Sequence, residues 1–271
     1  MPHNPIGLRI KPRNALPVLA CLLTLQMTAT AEPVAVRHLE KPLQATLELR
    51  SSKGALLADG KLDLTVSGDQ VTSRLTFTFK DGSIQDETTV YSQQGQFKLI
   101  SNRIVQKGPS FSRPLEMTIE AATGQVNVTY TENGREQTAS ERLQIPPDLA
   151  NGMIPTLLKN LNPAGPPSTV SLIAATPSPR VVGLRLSPGA PESVTIGGVA
   201  RRATHYVIKA EIGGVAGVLA PLVGKQPPET HAWVITGDTP DFLKSEGPLF
   251  YGGASWTIEV TGAATRTNIK P

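Results

Sequence analysis

The chain has 271 residues, with 26 lysines and arginines against 22 acidic residues, and its net charge is +4. Three of these charges (Arg9, Lys11 and Arg13) lie near the amino terminus, which leaves +1 for the rest of the chain. The longest basic cluster in that remainder is the pair Arg201-Arg202. Since nucleic-acid binding requires a concentrated basic surface, we expect no nucleic-acid partner.

The amino terminus has the pattern of a secretory signal peptide. The basic residues precede an apolar run, Ala15–Met27, and Ala29-Thr30-Ala31 supplies a small-x-small cleavage pattern. The run is shorter than the about 20 apolar residues that a spanning helix needs, and no later stretch is long and apolar enough. We therefore expect a signal peptide over 1–31, cleavage after Ala31, export to the periplasm and no transmembrane span.

Cys21 is the one cysteine of the chain. Because Val18-Leu19-Ala20-Cys21 resembles a lipobox, anchoring as a lipoprotein through Cys21 is the minor alternative to cleavage after Ala31. With cleavage after Ala31, the mature chain has no cysteine, and therefore neither a disulfide nor thiol chemistry.

The remaining residues are enough to bury a core in one β-rich domain, which we expect over 32–262, followed by a flexible tail over 263–271. From Leu43 to Ile145 (43–145), apolar and polar residues alternate with period two, as in Leu43–Leu49 and Leu75–Phe79. This alternation gives each segment one apolar and one solvated face and is typical of antiparallel strands. It predicts about eight strands connected as a meander.

Turn-forming residues separate these segments. Asp59-Gly60, Asp81-Gly82 and Asn133-Gly134 predict two-residue hairpins, because their residues tolerate positive φ. The other gaps are assigned to Gly68-Asp69, Gly95 and Thr123-Gly124.

The pattern changes after Pro146-Pro147, where apolar residues recur at helical spacing and predict a helix over 147–161. Pro155 lies inside this run and is expected to kink the helix or to begin a second turn. A second β region is predicted over 169–261. Its expected strands are Thr169–Ala175, Arg180–Ser187, Glu192–Ile196, Ala203–Ile212, His231–Thr236 and Ala254–Thr261.

The sequence has few residues that could act as catalytic groups or metal ligands. His205 and His231 fall in predicted strands, with Asp238 and Asp241 shortly after the second. A His/Asp general base or a metal site at these residues is a minority hypothesis. Metal sites usually need three or four ligands, and the sequence has no close-spaced histidine pair. We therefore expect no catalytic residue, no metal and no cofactor.

The apolar strand faces are more informative than the polar residues. About eight amphipathic strands offer more apolar face than one or two short helices can cover, so the sheet either fills its own interior or leaves a groove for an apolar ligand. The uncharged segment Gly213–Gly224 is interpreted as a buried plug, with a lid that contacts lipid or a partner as the alternative. The candidate ligand-binding residues are Phe77, Phe79, Leu157, Leu158, Val218, Leu219 and Leu222.

Three stretches resemble a group of uncharacterised exported bacterial β-rich proteins: Gly95–Pro114, Ile145–Leu161 and His205–Trp256. This resemblance implies an exported protein and carries no activity with it. More loosely, the expected curved sheet with covering helices is similar to the lipoprotein-localisation carriers of the LolA/LolB type. That second similarity concerns architecture and has no residue motif behind it.

The sequence thus predicts a mostly β protein in which a curved antiparallel sheet, a half-barrel or barrel, carries one or two short covering helices. The first functional hypothesis is a non-catalytic periplasmic module that binds an apolar ligand such as a lipid or acyl chain. The second is an envelope scaffold or assembly factor that acts through contacts with another envelope protein. The third is a hydrolase of unknown substrate that uses His205 or His231.

Overall fold

The computed structural model describes Met1, residues 32–211 and 227–262, and the backbone of 265–266. The rest of the expected signal peptide, most of the expected tail and the candidate residues Val218, Leu219 and Leu222 lie outside the described residues. Among the described helical residues, none forms a helix with the length and hydropathy needed to cross a membrane.

The first half of the domain is a meander of eight antiparallel strands in which each strand pairs with the next, which confirms the prediction from the alternating pattern. Their bounds are Leu43–Ser51 (β1), Leu56–Ser67 (β2), Gln70–Phe79 (β3), Ile84–Ser92 (β4), Lys98–Lys107 (β5), Leu115–Glu120 (β6), Gln125–Glu132 (β7) and Arg135–Arg142 (β8).

The second half adds strands to the same sheet. They are Ser168–Ile173 (β9), Val181–Ile196 (β10), Val199–Glu211 (β11), Thr230–Ile235 (β12), Asp241–Pro248 (β13), Ser255–Val260 (β14) and the short Thr265–Arg266 (β15). Because β14 pairs with β1, the strand order runs from β8 down to β1 and then from β14 down to β9. The described sheet stays open between β8 and β9, so it is a curved open sheet and not a closed barrel.

The sheet is curved, as the contacts within its apolar core show. One cluster contains Met117 and Val128 from β6 and β7 together with Val170 and Leu186 from β9 and β10. These strands lie towards opposite ends of the strand order, so their side chains meet only when the sheet folds round on itself. The face that points into this curve is called the inner face below.

The turn prediction at Asp59-Gly60 was wrong, because both residues lie inside β2. Gly60 is paired with Leu47 on β1 and with Phe77 on β3. A Cβ at Gly60 would lie 2.5 Å from the Phe77 ring, so this glycine makes room for an aromatic side chain instead of a turn. The two-residue hairpin at Asn133-Gly134 is confirmed, with positive φ at both residues and Glu132 paired with Arg135. A turn also forms at Asp81-Gly82, with positive φ at Gly82, but its loop is longer than the predicted two residues, because Phe79 N donates to Ser83 O across it.

The predicted helix is much shorter than expected. Helix α1 spans Ile154–Asn160 and has seven residues. Pro155 lies in its first turn, where the missing N–H costs no hydrogen bond, and it therefore does not kink the helix. Upstream, Ala150 N donates to Ser171 O (2.8 Å), so that the residues expected to begin the helix lie along β9 instead.

Two strands of the second β region differ from their predictions. Val181–Ile196 is one strand with an irregular register between Pro188 and Pro191, where the sequence predicted two strands. Strand β13 was missed, because the charged residues Lys244 and Glu246 break the apolar pattern along it.

Candidate functional site

The inner face carries two apolar clusters, and helix α1 covers one of them. This larger cluster, which we call the helix core, includes Leu149, Met153, Leu157 and Leu158 from the α1 region, packed against both halves of the sheet. Leu157 and Leu158 are 2% and 0% exposed. Here the helix closes the inner face.

The second cluster ends in four aromatic rings, which we call the aromatic end: Phe79, Phe111, Phe250 and Trp256. Ring centroids lie 5.4 Å apart for Phe79 and Phe111, 5.2 Å for Phe111 and Phe250, 5.8 Å for Phe250 and Trp256, and 5.6 Å for Trp256 and Phe79. Each ring thus contacts two of the others. Phe79 and Phe111 are buried, Phe250 and Trp256 are partly exposed, and α1 contributes no residue to the cluster.

The position of Phe111 is set by hydrogen bonds between two loops. Ser110 N donates to Ser83 Oγ (2.8 Å) and Ser110 Oγ donates to Asp81 Oδ2 (2.7 Å), while Phe111 N donates to Gly108 O (3.0 Å). The hydrogen bond from Ser110, with further ones from Ser83, lowers the pKa of Asp81. The ionised carboxylate therefore joins the β3–β4 turn to the β5–β6 loop, which places Phe111 beside Phe79.

Phe250 is placed by the turn between β13 and β14. Gly253 N donates to Phe250 O (3.0 Å), and Gly252 has φ +77. A Cβ at Gly253 would lie 2.9 Å from the Phe250 ring, so glycine at this position lets the ring fold back over the turn towards Trp256. Phe111 and Phe250 thus lie on loops, whereas Phe79 and Trp256 lie on strands.

A polar band runs along the inner face of β4 and β5, beside the aromatic end. Its members are Gln85, Glu87, Thr89, Asn102 and Gln106. Gln85 is paired with Phe77, and Glu87 with Leu75; both partners belong to the second apolar cluster. Directly paired residues on antiparallel strands place their side chains on the same face, with Cβ atoms about 5 Å apart. The polar band and the second apolar cluster are therefore neighbours on one surface.

The polar band contains a carboxyl group and an unpartnered acceptor. Asn102 Nδ2 donates to Glu87 Oε1 (3.0 Å) and to Thr89 Oγ1 (2.9 Å). Asn102 is 2% exposed, and its Oδ1 has no hydrogen-bond partner among the described residues. Burial raises the pKa of Glu87, an effect that the hydrogen bond from Asn102 opposes. Unsatisfied polar groups of this kind are rare and costly in protein interiors.

His205 and His231 lie on the opposite, outer face of the sheet. His205 Nε2 and His231 Nδ1 are 2.9 Å apart, and the His205 ring stacks on Trp233 with centroids 4.7 Å apart. Burial is the main cause that lowers the pKa of His205. Among the described residues, the two histidines thus contact each other. Within the described part of the chain, no three metal-ligating side chains come together.

A cleft of about 360 Å³ lies between the chain preceding β1, α1 and the segment from Asp238, in the β12–β13 loop, to Asp241 at the start of β13. In its wall, Glu40 Oε1 forms an ion pair with Lys159 Nζ (2.5 Å) and accepts a hydrogen bond from Thr156 Oγ1 (2.7 Å). These contacts attach the segment before β1 to the helix. The charged groups that form them are thus already satisfied within the chain.

The four described candidate residues fall in two places. Phe77 and Phe79 belong to the second apolar cluster, and Leu157 and Leu158 to the helix core. That any of them contacts a ligand stays a prediction. Sequence reasoning missed Phe111, Phe250 and Trp256. The available signal was an aromatic residue within three positions of a turn glycine, such as Phe111 after Gly108 and Phe250 before Gly252.

No protein-family model matches the chain, and no curated protein sequence matches it. It is similar to the crystal structure of a beta-barrel-like protein of domain of unknown function DUF1849 from Brucella abortus, at 12% identity and a TM-score of 0.47, over 88% of this chain and 100% of that one. It is also similar to the hypothetical lipoprotein YmcC from Escherichia coli, at 11% identity and a TM-score of 0.34, over 82% and 84%. No residue role is transferred at these identities, and the similarity to LolA/LolB carriers stays a prediction.

Proposed function

We propose that the protein is a non-catalytic module of the cell envelope that binds the hydrocarbon part of a lipid or acyl chain at the aromatic end. One observation carries the proposal: the aromatic end is an apolar part of the inner face that α1 does not cover, and two of its four rings keep exposed surface. Transfer of such surface from water to an apolar ligand is favourable by about 25 cal/mol per Å². The envelope location follows from the expected signal peptide.

The construction of the aromatic end suits entry of a chain. Phe111 and Phe250 lie on the β5–β6 and β13–β14 loops, so both rings can move apart without breaking the hydrogen bonds that pair the strands. Phe79 and Trp256 stay fixed on β3 and β14. An alkyl chain that separates the two loop rings would contact the buried Phe79 ring and, next to it, Phe77.

The first test is a titration of the purified protein with 1-decanol, followed through tryptophan fluorescence. The chain has two tryptophans, so Trp233→Phe leaves Trp256 as the reporter inside the aromatic end. We expect a saturable change in fluorescence and a one-to-one adduct by native mass spectrometry. Phe250→Ala should weaken binding by about tenfold or more, because it removes one of the two ring contacts of Trp256.

Tyr251→Ala is the matched control, since Tyr251 lies in the same turn but is 48% exposed. It should bind 1-decanol like the parent protein. A protein that shows no saturable response to 1-decanol, or equal affinity in the Phe250→Ala and Tyr251→Ala variants, would overturn the proposal.

One observation favours the second hypothesis, an envelope scaffold or assembly factor. Strand β8 pairs with β7 at one edge and ends the described strand order, and seven of its eight residues are exposed. An edge of this kind can accept a strand from another protein. Cross-linking from Thr138 in cells would recover one specific partner if β8 acts in this way, and none if it does not.

A further inference from the structure

We infer that the polar band recognises the head group of the ligand, and that it favours a cationic or hydrogen-bond-donating head, such as an alkyl amine, over an alkyl carboxylate. This inference rests on the proposed function and names the chemical class of its ligand. The recognition element is the acceptor pair, which we define as Asn102 Oδ1 and the second carboxyl oxygen of Glu87, Oε2.

Among the described residues, no hydrogen-bond donor reaches either oxygen of the acceptor pair. Both hydrogens of the Asn102 amide are used, towards Glu87 Oε1 and Thr89 Oγ1, while Oδ1 is buried without a partner in the described part of the structure. No lysine or arginine among the described residues forms an ion pair with Glu87, although nine ion pairs occur elsewhere in them. A ligand that brings donors would satisfy both atoms.

The turn before α1 holds the acceptor pair in place. Gly152 has φ +68, and the three atoms nearest to a Cβ built there are Thr89 Oγ1, Asn102 Nδ2 and Glu87 Oε1. The backbone at Gly152 therefore lies against these three atoms, which the hydrogen bonds from Asn102 join into one triad. The two oxygens of the acceptor pair are not among those atoms, so this glycine fixes the triad without occupying the acceptors.

The pairing register of β3 with β4 places the proposed head-group site next to the proposed site of the alkyl chain. Glu87 is directly paired with Leu75, and Gln85 with Phe77, so the polar band begins where the second apolar cluster ends. An amphiphile with its chain at the aromatic end would place its first polar group at the polar band. An ammonium group offers three donors and a positive charge to Glu87. The carboxylate of a ligand would instead place its own acceptor oxygens against the acceptor pair, and its negative charge beside Glu87.

The test compares decylamine, 1-decanol and decanoate, which share one chain length and differ in the head group. Binding is measured at neutral pH through Trp256 fluorescence in the Trp233→Phe background. We expect decylamine to bind about tenfold or more tightly than 1-decanol, and decanoate to bind most weakly. Glu87→Gln should remove at least about tenfold of the preference for decylamine over 1-decanol, with both affinities measured in the same variant.

Glu120→Gln is the matched control, because Glu120 is an exposed carboxylate at the end of β6. It should retain the full preference for the amine. Retained 1-decanol binding in Glu87→Gln shows that the variant is folded and that the tail site is intact. Equal affinity for the three probes, or an unchanged preference in Glu87→Gln, overturns this inference and leaves the proposed function standing. Absence of binding to all three overturns both.

Discussion

The helix core and the aromatic end occupy the same inner face and arise from the same alternating strands, yet they differ in how they are closed. In the helix core, Leu157 and Leu158 of α1 fill the space between the two halves of the sheet. At the aromatic end, α1 contributes no residue, and among the described residues the loop residues Phe111 and Phe250 complete the cluster. A helix of seven residues closes only the surface beneath it, and in the described part of the chain the second apolar cluster is completed by side chains on loops.

This comparison predicts unequal effects of truncation. Leu158→Ala removes a side chain that is 0% exposed and leaves a cavity in the helix core. The free energy of unfolding should fall by about 2–5 kcal/mol, measured by urea denaturation followed with circular dichroism. Ile100→Ala, at a position that is 40% exposed, should lower it by less than about 1 kcal/mol. Similar losses in the two variants would show that α1 does not close the core.

The boundary between the helix core and the polar band can be tested at Gly152. Gly152→Ala introduces a Cβ that overlaps Thr89 Oγ1, in a left-handed conformation at φ +68. Gly134→Ala is the matched control, because Gly134 has φ +73 and no atom within 4 Å of its Cβ position. Both variants carry backbone strain, but Gly152→Ala should lose about 1–3 kcal/mol more in denaturant unfolding. Equal losses would mean that the turn does not pack on the polar band.

Truncation at the aromatic end should have a smaller effect on folding than truncation in the helix core. Phe250→Ala removes a partly exposed ring with two aromatic neighbours. We expect a loss of about 0.5–1.5 kcal/mol in the free energy of unfolding from urea titration, because each such pair contributes little beyond its buried area. A loss as large as that of Leu158→Ala would make the aromatic end a second sealed core and would remove the basis for ligand entry.

The last prediction concerns pH. Because burial raises the pKa of Glu87, the folded protein binds this proton more tightly than the unfolded chain does. The resulting stability is present below the ordinary value of 4.5 and is lost as pH rises through the higher folded value. Glu87→Gln keeps a neutral side chain at every pH, so it should match the parent protein well below pH 4.5 and be the more stable variant at neutral pH.

Urea denaturation across this pH range measures the difference, with Glu120→Gln as the exposed control, which should show no comparable trend. A Glu87→Gln variant that is less stable than the parent protein at neutral pH would contradict the predicted direction of this stability difference. It would indicate a cation beside Glu87 in the folded state.

The sequence by itself named two residues of the proposed site, whose contact with a ligand stays a prediction, and it missed the others for a physical reason. Phe77 and Phe79 were identified because alternation along a strand reports which face a side chain occupies. Phe111 and Phe250 lie in loops, which have no such period, and their positions depend on contacts such as the one between Ser110 and Asp81, 29 residues apart. The acceptor pair was also missed, because Glu87 and Asn102 meet only through the pairing of β4 with β5.

The amino-acid sequence by itself determined the strands of the meander and most of its turns, since both follow from the local preference of each residue for a face or for a value of φ. The misplaced turn at Gly60 shows where local reasoning ends: the glycine is required by Phe77, a residue on another strand. The tertiary structure decided that Leu47 pairs with Val260, which joins the two halves into one sheet. It also decided which apolar surface α1 covers, because that depends on contacts between residues that are distant in the chain.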